Sequence, residues 1–191
     1  MKNIAIFASG GGTNAERVIK QFQDSIDAHV AVVLTNNEEA GVVQRADALD
    51  VPVEIIDKSW QSAEELLTVL RAYDTEVILL LGYLKLMPEE VTNEYDGHIV
   101  NLHPSLLPKY GGKGMYGQSV HKAVADNKEA ETGFTLHRAS SEYDKGEILY
   151  QTKVRISDSQ QTAQEVKKLV LKLESSKVAS AIEQLIKEDK I

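Results

Sequence analysis

The sequence predicts an α/β fold: a single domain with a Rossmann-like, mostly parallel sheet and helices on both faces. Short apolar runs of strand length alternate with segments whose apolar residues recur at helical spacing, a pattern typical of parallel sheets covered by helices. A glycine-rich turn directly follows the first of these runs. The chain has 191 residues, enough for one domain with a proper core, so we expect residues 1–191 to fold as one unit.

Five apolar runs predict the strands of the first part of the sheet. They are Asn3–Ala8, His29–Leu34, Val53–Ile56, Val77–Leu81 and Ile99–Leu102. The segments between them predict helices, because their apolar residues follow helical spacing, as Leu66, Leu67 and Leu70 do.

The pattern changes after about residue 130. Two further strand candidates, Thr132–Arg138 and Glu147–Ile156, flank the polar segment Ser140–Gly146. One long helix is predicted from about Thr162 to Glu188. The segment Lys109–Gly117, KYGGKGMYG, has four glycines in nine residues and predicts a loop.

Composition excludes several classes of protein. The net charge of −8 argues against a nucleic-acid partner, since phosphate contacts need clustered Lys and Arg. The sequence has no cysteine, which excludes disulfide frameworks, thiolate zinc sites and thiol nucleophiles. No stretch approaches the roughly 18 uninterrupted apolar residues of a membrane span, and the start, MKNIAIFASGGG, does not read as a signal peptide. We therefore expect a cytoplasmic protein that binds neither nucleic acid nor membrane.

The motif SGGGTN, at Ser9–Asn14, predicts a phosphate site. It lies between the first strand and a helical segment, where glycines let backbone N–H groups approach a ligand and the helix start adds a partial positive charge. It matches neither the GxGxxG nor the Walker pattern. The alternative is a tight turn into a helix, with Thr13 or Asn14 as the N-cap.

The motif VNLHPSLLPKY, at Val100–Tyr110, ends a predicted strand. Asn101 and His103 are two residues apart, so their side chains leave the same side of that strand, at the edge where open parallel sheets bind ligands. An amide can donate to a developing oxyanion and an imidazole can shuttle a proton. The alternative is a histidine with a purely structural role.

The motif SSEYDKGEI, at Ser140–Ile148, places Asp144 in a polar loop between two strands. A carboxylate near an imidazole favours the charged ring, so Asp144 is a candidate partner of His103. The alternative is a simple hairpin turn.

With these three motifs in order, the sequence resembles the phosphoribosylglycinamide formyltransferase family, the folate-dependent enzymes of purine biosynthesis. The resemblance runs from Met1 to about Ile186, and its most specific segment is NLHPSLLPKY, followed by GKGMYG and the later Asp144-Lys145-Gly146. It implies transfer of a formyl group from 10-formyltetrahydrofolate to the amine of glycinamide ribonucleotide. The implied partners are these two small molecules, with no metal, in a monomer or weak homodimer.

The resemblance also implies catalytic roles. Asn101 is expected to hold the formyl oxygen, and His103 to act as general acid and proton shuttle. Asp144 is expected to orient His103 and keep it protonated. It further implies that a tetrahedral oxyanion forms and collapses without a covalent enzyme intermediate.

Binding residues are implied in both halves of the chain, a phosphate-binding half of about residues 1–98 and a catalytic and folate-binding half of about 99–191. The expected ribonucleotide contacts are Gly11, Gly12, Thr13, Asn14 and Glu174. The expected folate contacts are Leu84, Lys85, Leu86, Met87, Asn101, Ser140, Ser141 and Asp144. The alternatives are core packing for the apolar residues and a solvated helix surface for Glu174.

Some positions depart from the family or stay open. A family arginine that reaches the folate has no counterpart in SWQSAEELLTVL, where Ala63 or Glu64 occupies the region. We interpret His121 as a helix-surface residue and His137 as a packed strand residue that could face the site.

Other functions remain as alternatives. Methionyl-tRNA and sugar formyltransferases and a formyltetrahydrofolate hydrolase share the amide, imidazole and carboxylate, but usually carry a further domain. A ribonucleotide-binding regulator on the same fold has no need of a proton shuttle.

Overall fold

A computed structural model of the chain describes residues 1–56, 62–157 and 161–191. The structure contains one seven-stranded sheet in the order β3-β2-β1-β4-β5-β6-β7. The strands are β1 Lys2–Phe7, β2 Ala28–Thr35, β3 Val53–Ile55, β4 Val77–Leu80, β5 Ile99–His103, β6 Glu131–Arg138 and β7 Ile148–Arg155. The helices are α1 Thr13–Phe22, α2 Gly41–Asp47, α3 Ala63–Ala72, α4 Glu89–Glu94, α5 Gln118–Asp126 and α6 Ala163–Lys187.

The predicted fold class is confirmed. β1 to β5 pair in parallel, whereas β6 pairs antiparallel with both β5 and β7. The predicted strands agree with the observed ones to within one residue at each end. β4 belongs to the expected phosphate-binding half and β5 to the expected catalytic half. Because these two strands pair, one sheet spans both halves.

The sheet separates two apolar layers. One layer packs α1, α2 and α6 against the sheet through residues such as Phe22 and Ile182. The other packs α3 and α4 through residues such as Leu70 and Val91. Burying a side chain of this size contributes roughly 1.5–3 kcal/mol, so both helical layers are fixed firmly to the sheet.

The strand order reverses between β1 and β4. The chain moves outward from β1 to β2 and β3, then returns to place β4 on the other side of β1. Open α/β sheets leave a crevice at such a reversal, beyond the carboxyl ends of the strands. The loops that follow β1, β4 and β5 therefore meet at one edge of the sheet.

The long helix α6 begins at a capping box. The side chain of Thr162 accepts a hydrogen bond from the backbone N–H of Glu165, and the Glu165 carboxylate accepts one from the backbone N–H of Thr162. These reciprocal bonds satisfy two donors at the helix start. The helix then packs against α1 and α5, which brings its residue Glu174 over the β1–α1 turn.

Candidate active site

A cleft of about 670 Å³ opens at this edge of the sheet. Its walls come from the β1–α1 turn, the loop after β4, the end of β5, the segment 112–117, the loop after β6 and helix α6. The expected site residues Asn101, His103 and Asp144 line it together. The three predicted motifs therefore meet in one place.

Asn101 and His103 project from β5 toward the same carboxylate. The Asn101 Nδ2 atom donates to Asp144 Oδ1 at 3.4 Å, and the His103 Nδ1 atom lies 3.4 Å from the same oxygen. Alternation along the strand explains this arrangement, since residues two apart share a face. The expected convergence of amide, imidazole and carboxylate is present.

Asp144 is held in place by the loop that follows β5. Its Oδ2 atom accepts a hydrogen bond of 2.8 Å from the backbone N–H of Gly112. Burial raises the pKa of Asp144, but hydrogen bonds from His103, His137 and Gly112 lower it by more than burial raises it. The net pKa therefore lies well below the ordinary value. Asp144 is thus a stable anion beside two imidazoles.

The backbone at Gly111 lies too close to Leu107 and Asp144 to leave room for a side chain. A Cβ atom at Gly111 would lie 2.6 Å from Leu107 Cδ2 and 3.1 Å from Asp144 Cβ. At these distances Leu107 or Asp144 would have to shift to accommodate a side chain. Gly111 in KYGGKG therefore has a steric cause, whereas Gly112 has open space around it and a positive φ of 98°.

The second ring nitrogen of His103 faces the backbone. Its Nε2 atom lies 2.8 Å from the carbonyl oxygen of Tyr110. A carbonyl can only accept, so Nε2 carries a proton in this contact. The ring is thus fixed at both nitrogens, with Nδ1 toward Asp144 and Nε2 toward Tyr110.

The structure places His137 inside this cluster, opposite Asn101 in the β5–β6 register. Its Nδ1 atom lies 2.9 Å from the Arg138 carbonyl, and its Nε2 atom lies 3.0 Å from Asn101 Nδ2 and 3.4 Å from Asp144 Oδ1. Sequence reasoning left this residue open. The available signal was its alternation with Thr135, which places His137 and Thr135 on one face of β6.

The β1–α1 turn forms the opposite wall of the cleft, and Gly11, Gly12, Thr13 and Asn14 all line it. The proposal that Thr13 or Asn14 caps α1 was wrong, because Gly12 is the N-cap residue and no side chain caps the helix. Gly12 has φ 71° and a Cβ there would lie 2.6 Å from the Val42 backbone. The uncapped N–H groups of the first turn are therefore available to a ligand.

Glu174 lies beside this turn. It is only 6% exposed, and its Oε2 atom accepts a 2.8 Å hydrogen bond from Asn14 Nδ2. Burial raises the pKa of Glu174, while the bond from Asn14 and the charge of Arg17 offset part of that rise. The alternative of a solvated surface glutamate was wrong, because α6 packs on α1 here.

The loop after β4 supplies an apolar wall that contains Leu84, Lys85, Leu86 and Met87. Leu84 is 52% exposed and Leu86 is 41% exposed, so core packing is the wrong explanation for these two, whereas Met87 is buried in the core. Tyr143 is also partly exposed in the cleft. Exposed apolar side chains on a concave wall are suited to a flat ring.

Of the expected folate contacts in the loop after β6, only some line the cleft. Ser140 lines the cleft, whereas Ser141 is exposed and does not line it. Ala63 and Glu64 begin α3 and do not line the cleft either. The preceding Ser59–Gln61, part of the stretch that lacks the family arginine, lies outside the described residues.

His121 was wrongly interpreted as a helix-surface residue. It is only 4% exposed and lines the cleft from α5, and its Nδ1 atom has no hydrogen-bond partner in the described part of the chain. Burial, then the charges of Lys167 and His103, lowers the pKa of His121 to about 4. A buried neutral ring therefore lies near His103.

We expect this ring to make stability depend on pH. Between the ordinary histidine pKa of 6.5 and about pH 4, His121 is protonated in the unfolded chain but neutral in the folded protein. The free energy of unfolding therefore falls as the pH drops through this range. The slope is at most about 1.4 kcal/mol per pH unit. Urea unfolding between these pH values should show a flatter profile for His121→Leu, and an unchanged profile would contradict the burial of a neutral ring.

Among residues 1–56, 62–157 and 161–191, no group of three His, Asp or Glu side chains could hold a metal ion. No helix within those same ranges is long and apolar enough to cross a membrane.

Comparison with known sequences identifies relatives over most of the chain. A sequence model of the family described as "Formyl transferase" matches residues 2–182. Phosphoribosylglycinamide formyltransferase, chloroplastic, of Arabidopsis thaliana is 39% identical over 177 residues, which are 89% of this chain and 60% of the plant protein. Phosphoribosylglycinamide formyltransferase of Bacillus subtilis (strain 168) is 31% identical over 192 residues, which are 97% of this chain and 95% of the bacterial protein.

Solved structures agree with the sequence comparison. The crystal structure of phosphoribosylglycinamide formyltransferase from Bacillus Halodurans superimposes with a TM-score of 0.84 at 31% identity, covering 96% of this chain and 95% of that one. The present chain spans about 60% of the length of the Arabidopsis relative. The fold is thus shared with proteins of one family.

Proposed function

The chain belongs to the formyl transferase family, and from this premise we propose that it transfers a formyl group from 10-formyltetrahydrofolate to the amine of glycinamide ribonucleotide. One observation carries the proposal: Asn101, His103 and Asp144 converge in a cleft between a phosphate-type turn and an apolar wall. A formyl transfer between these two molecules needs a group that stabilises the oxyanion, a proton carrier and a binding surface for each substrate.

The two walls suit two different substrates. The β1–α1 turn offers backbone N–H groups and the start of α1 to a phosphate, and Glu174 beside it offers a carboxylate to sugar hydroxyls. Across the cleft, Leu84, Leu86 and Tyr143 offer exposed apolar surface to the flat ring of the folate. The reacting amine and formyl group then meet at the cluster between the walls.

The cluster supplies the chemistry of the transfer. The Asn101 amide donates to the formyl oxygen, on which negative charge develops as the amine nitrogen bonds to the formyl carbon. The formyl carbon then loses its bond to the folate nitrogen, and the proton released by the amine must reach that nitrogen. His103, beside the anionic Asp144, carries this proton, which leaves the enzyme unchanged at the end of a turnover.

Asn101 must exchange partners during this process. In the structure its Nδ2 atom donates to His137 Nε2 and to Asp144 Oδ1. The contact with Asp144 is long at 3.4 Å, so a formyl oxygen can replace it at little cost. Catalytic hydrogen bonds often shorten only when the substrate is present.

The decisive experiment incubates the protein with 10-formyltetrahydrofolate and glycinamide ribonucleotide and follows the release of tetrahydrofolate. Release that requires the ribonucleotide supports the proposal. Release with water alone would indicate a formyltetrahydrofolate hydrolase, and release only with another amine would indicate a different formyltransferase. Cytoplasmic location and a monomer or weak homodimer stay predictions of the sequence.

Glu174 provides a second test, aimed at the ribonucleotide. We expect Glu174→Ala to raise the KM for glycinamide ribonucleotide about 10- to 100-fold with little change in kcat, because a hydrogen bond to a charged group contributes about 1.5–3 kcal/mol. Glu183→Ala is the matched control, since Glu183 also lies on α6 and accepts a 2.8 Å bond from Gln21 of α1. Equal KM values for both variants would remove Glu174 from the binding site.

A further inference from the structure

We infer that Tyr110 and Glu129 are positioning residues that decide which nitrogen of His103 exchanges a proton with the substrate. The contact of Tyr110 keeps Nε2 protonated, which leaves Nδ1 as the working nitrogen. The inference rests on the proposed function for the meaning of that proton, but its structural part concerns His103 alone.

The two nitrogens of His103 have different surroundings. Nδ1 points to the cluster, 3.4 Å from Asp144 Oδ1 and beside Asn101. Nε2 points away from it, to the Tyr110 carbonyl at 2.8 Å. The hydrogen bond at one nitrogen of an imidazole fixes the role of the other. A carbonyl acceptor at Nε2 therefore directs proton exchange to Nδ1.

The Tyr110 carbonyl reaches His103 from an unusual backbone conformation. Tyr110 has φ 57°, in the left-handed region that a residue with a bulky side chain seldom adopts. The neighbouring Gly111 approaches Asp144 closely, and Gly112 donates to its carboxylate. Tyr110 thus contacts His103 through its carbonyl, and Gly112, two residues later, contacts Asp144. A further interaction must hold Tyr110 in this backbone conformation.

The side chain of Tyr110 supplies the anchor. Its hydroxyl donates a 2.8 Å hydrogen bond to Glu129 Oε1, and the same carboxylate accepts from Lys109 Nζ at 2.9 Å. Burial and the bond to Glu129 raise the pKa of Tyr110 to about 12, so the hydroxyl keeps its proton at physiological pH. Glu129 lies in the turn between α5 and β6 and is fixed by its own backbone bond to Val124.

Tyr110 and Glu129 act from outside the substrate cleft. They line a separate cavity of about 640 Å³, whose walls do not include Asn101, His103 or Asp144. Neither residue lines the cleft that contains the catalytic cluster. Their effect on the reaction must therefore pass through the His103 ring.

The test removes the anchor without touching the cleft. In Tyr110→Phe we expect kcat to fall about tenfold, because small misplacements of a catalytic group cost that much or more, while the KM values for both substrates stay within about twofold. The Nε2 proton of His103, followed by NMR of the substrate-free protein, should exchange with water at least about tenfold faster. A thermal melt establishes that the variant is folded.

Three further variants separate positioning from a general loss of a tyrosine–glutamate contact. Glu129→Leu should reproduce Tyr110→Phe, whereas Glu129→Gln keeps an acceptor oxygen and should stay close to wild type. Tyr73→Phe is the matched control, since Tyr73 donates a 2.8 Å bond to Glu54 on the other side of the sheet. Its kcat and its His103 signals should not change.

The outcomes divide cleanly. An unchanged exchange rate of the His103 Nε2 proton in both Tyr110→Phe and Glu129→Leu would overturn the inference, whatever reaction the protein performs. The proposed function fails if the wild-type protein releases no tetrahydrofolate with glycinamide ribonucleotide. In that case the structural part of the inference still holds if the two substitutions change the exchange rate of the His103 Nε2 proton.

Discussion

Replacing Asp144 by Asn is expected to lower kcat by about 10²- to 10⁴-fold, the range that positioned acid–base groups contribute. The substitution keeps the size of the side chain and an oxygen for the Gly112 N–H. It removes the negative charge that stands 3.4 Å from His103 Nδ1 and from His137 Nε2. Without that charge a protonated His103 loses its main electrostatic partner.

The pH dependence of Asp144→Asn should change with it. The acid limb of the kcat profile should move, because the variant lacks the carboxylate whose pKa is lowered in the wild type. Stability should change too: the lowered pKa of Asp144 stabilises the fold above the ordinary carboxyl value of 3.8, and this contribution is lost as the pH falls below it. Acidification should therefore destabilise wild type more than Asp144→Asn. Parallel unfolding curves and a wild-type kcat would remove Asp144 from the mechanism.

Replacing His103 by Ala is expected to lower kcat by at least about 10³-fold, since the proton carrier itself is lost. The KM values should change less, because the phosphate turn and the apolar wall do not depend on His103. Far-UV circular dichroism should stay that of a folded protein, and added imidazole should restore part of the rate by occupying the space left by the ring.

His98→Ala is the matched control for this variant, since His98 is exposed directly before β5 and does not line the cleft. It should have the kcat of wild type. If His103→Ala retained that kcat as well, another group would have to carry the proton, and the buried His137 and His121 would be the next residues to replace.

The alternation of apolar runs predicted the five parallel strands well for a physical reason. Buried parallel strands need near-continuous apolar residues, and the helices between them need an apolar stripe, so both signals are local. The pair Asn101 and His103 was equally accessible, because side chains two apart on a strand share a face whatever the rest of the chain does. The N-cap of α1 was missed, because a helix can begin at a glycine with no side-chain cap.

Burial of individual polar residues could not be read in the same way. His121 and Glu174 have ordinary helix-surface patterns in the sequence, yet both are buried because α6 packs against α5 and α1. His137 is brought to Asn101 by the antiparallel register of β5 and β6. Each of these facts depends on which element packs against which, and no local pattern contains that information.

By itself, the sequence determined the α/β fold, the glycine turn after β1 and the shared face of Asn101 and His103, since local spacing governs all three. Only the tertiary structure decided that Asp144 meets His103, that Glu174 accepts from Asn14, and that the Tyr110 carbonyl binds the far side of the His103 ring. These contacts join residues from separate elements, and they exist because strand order and helix packing bring those elements to one edge of the sheet.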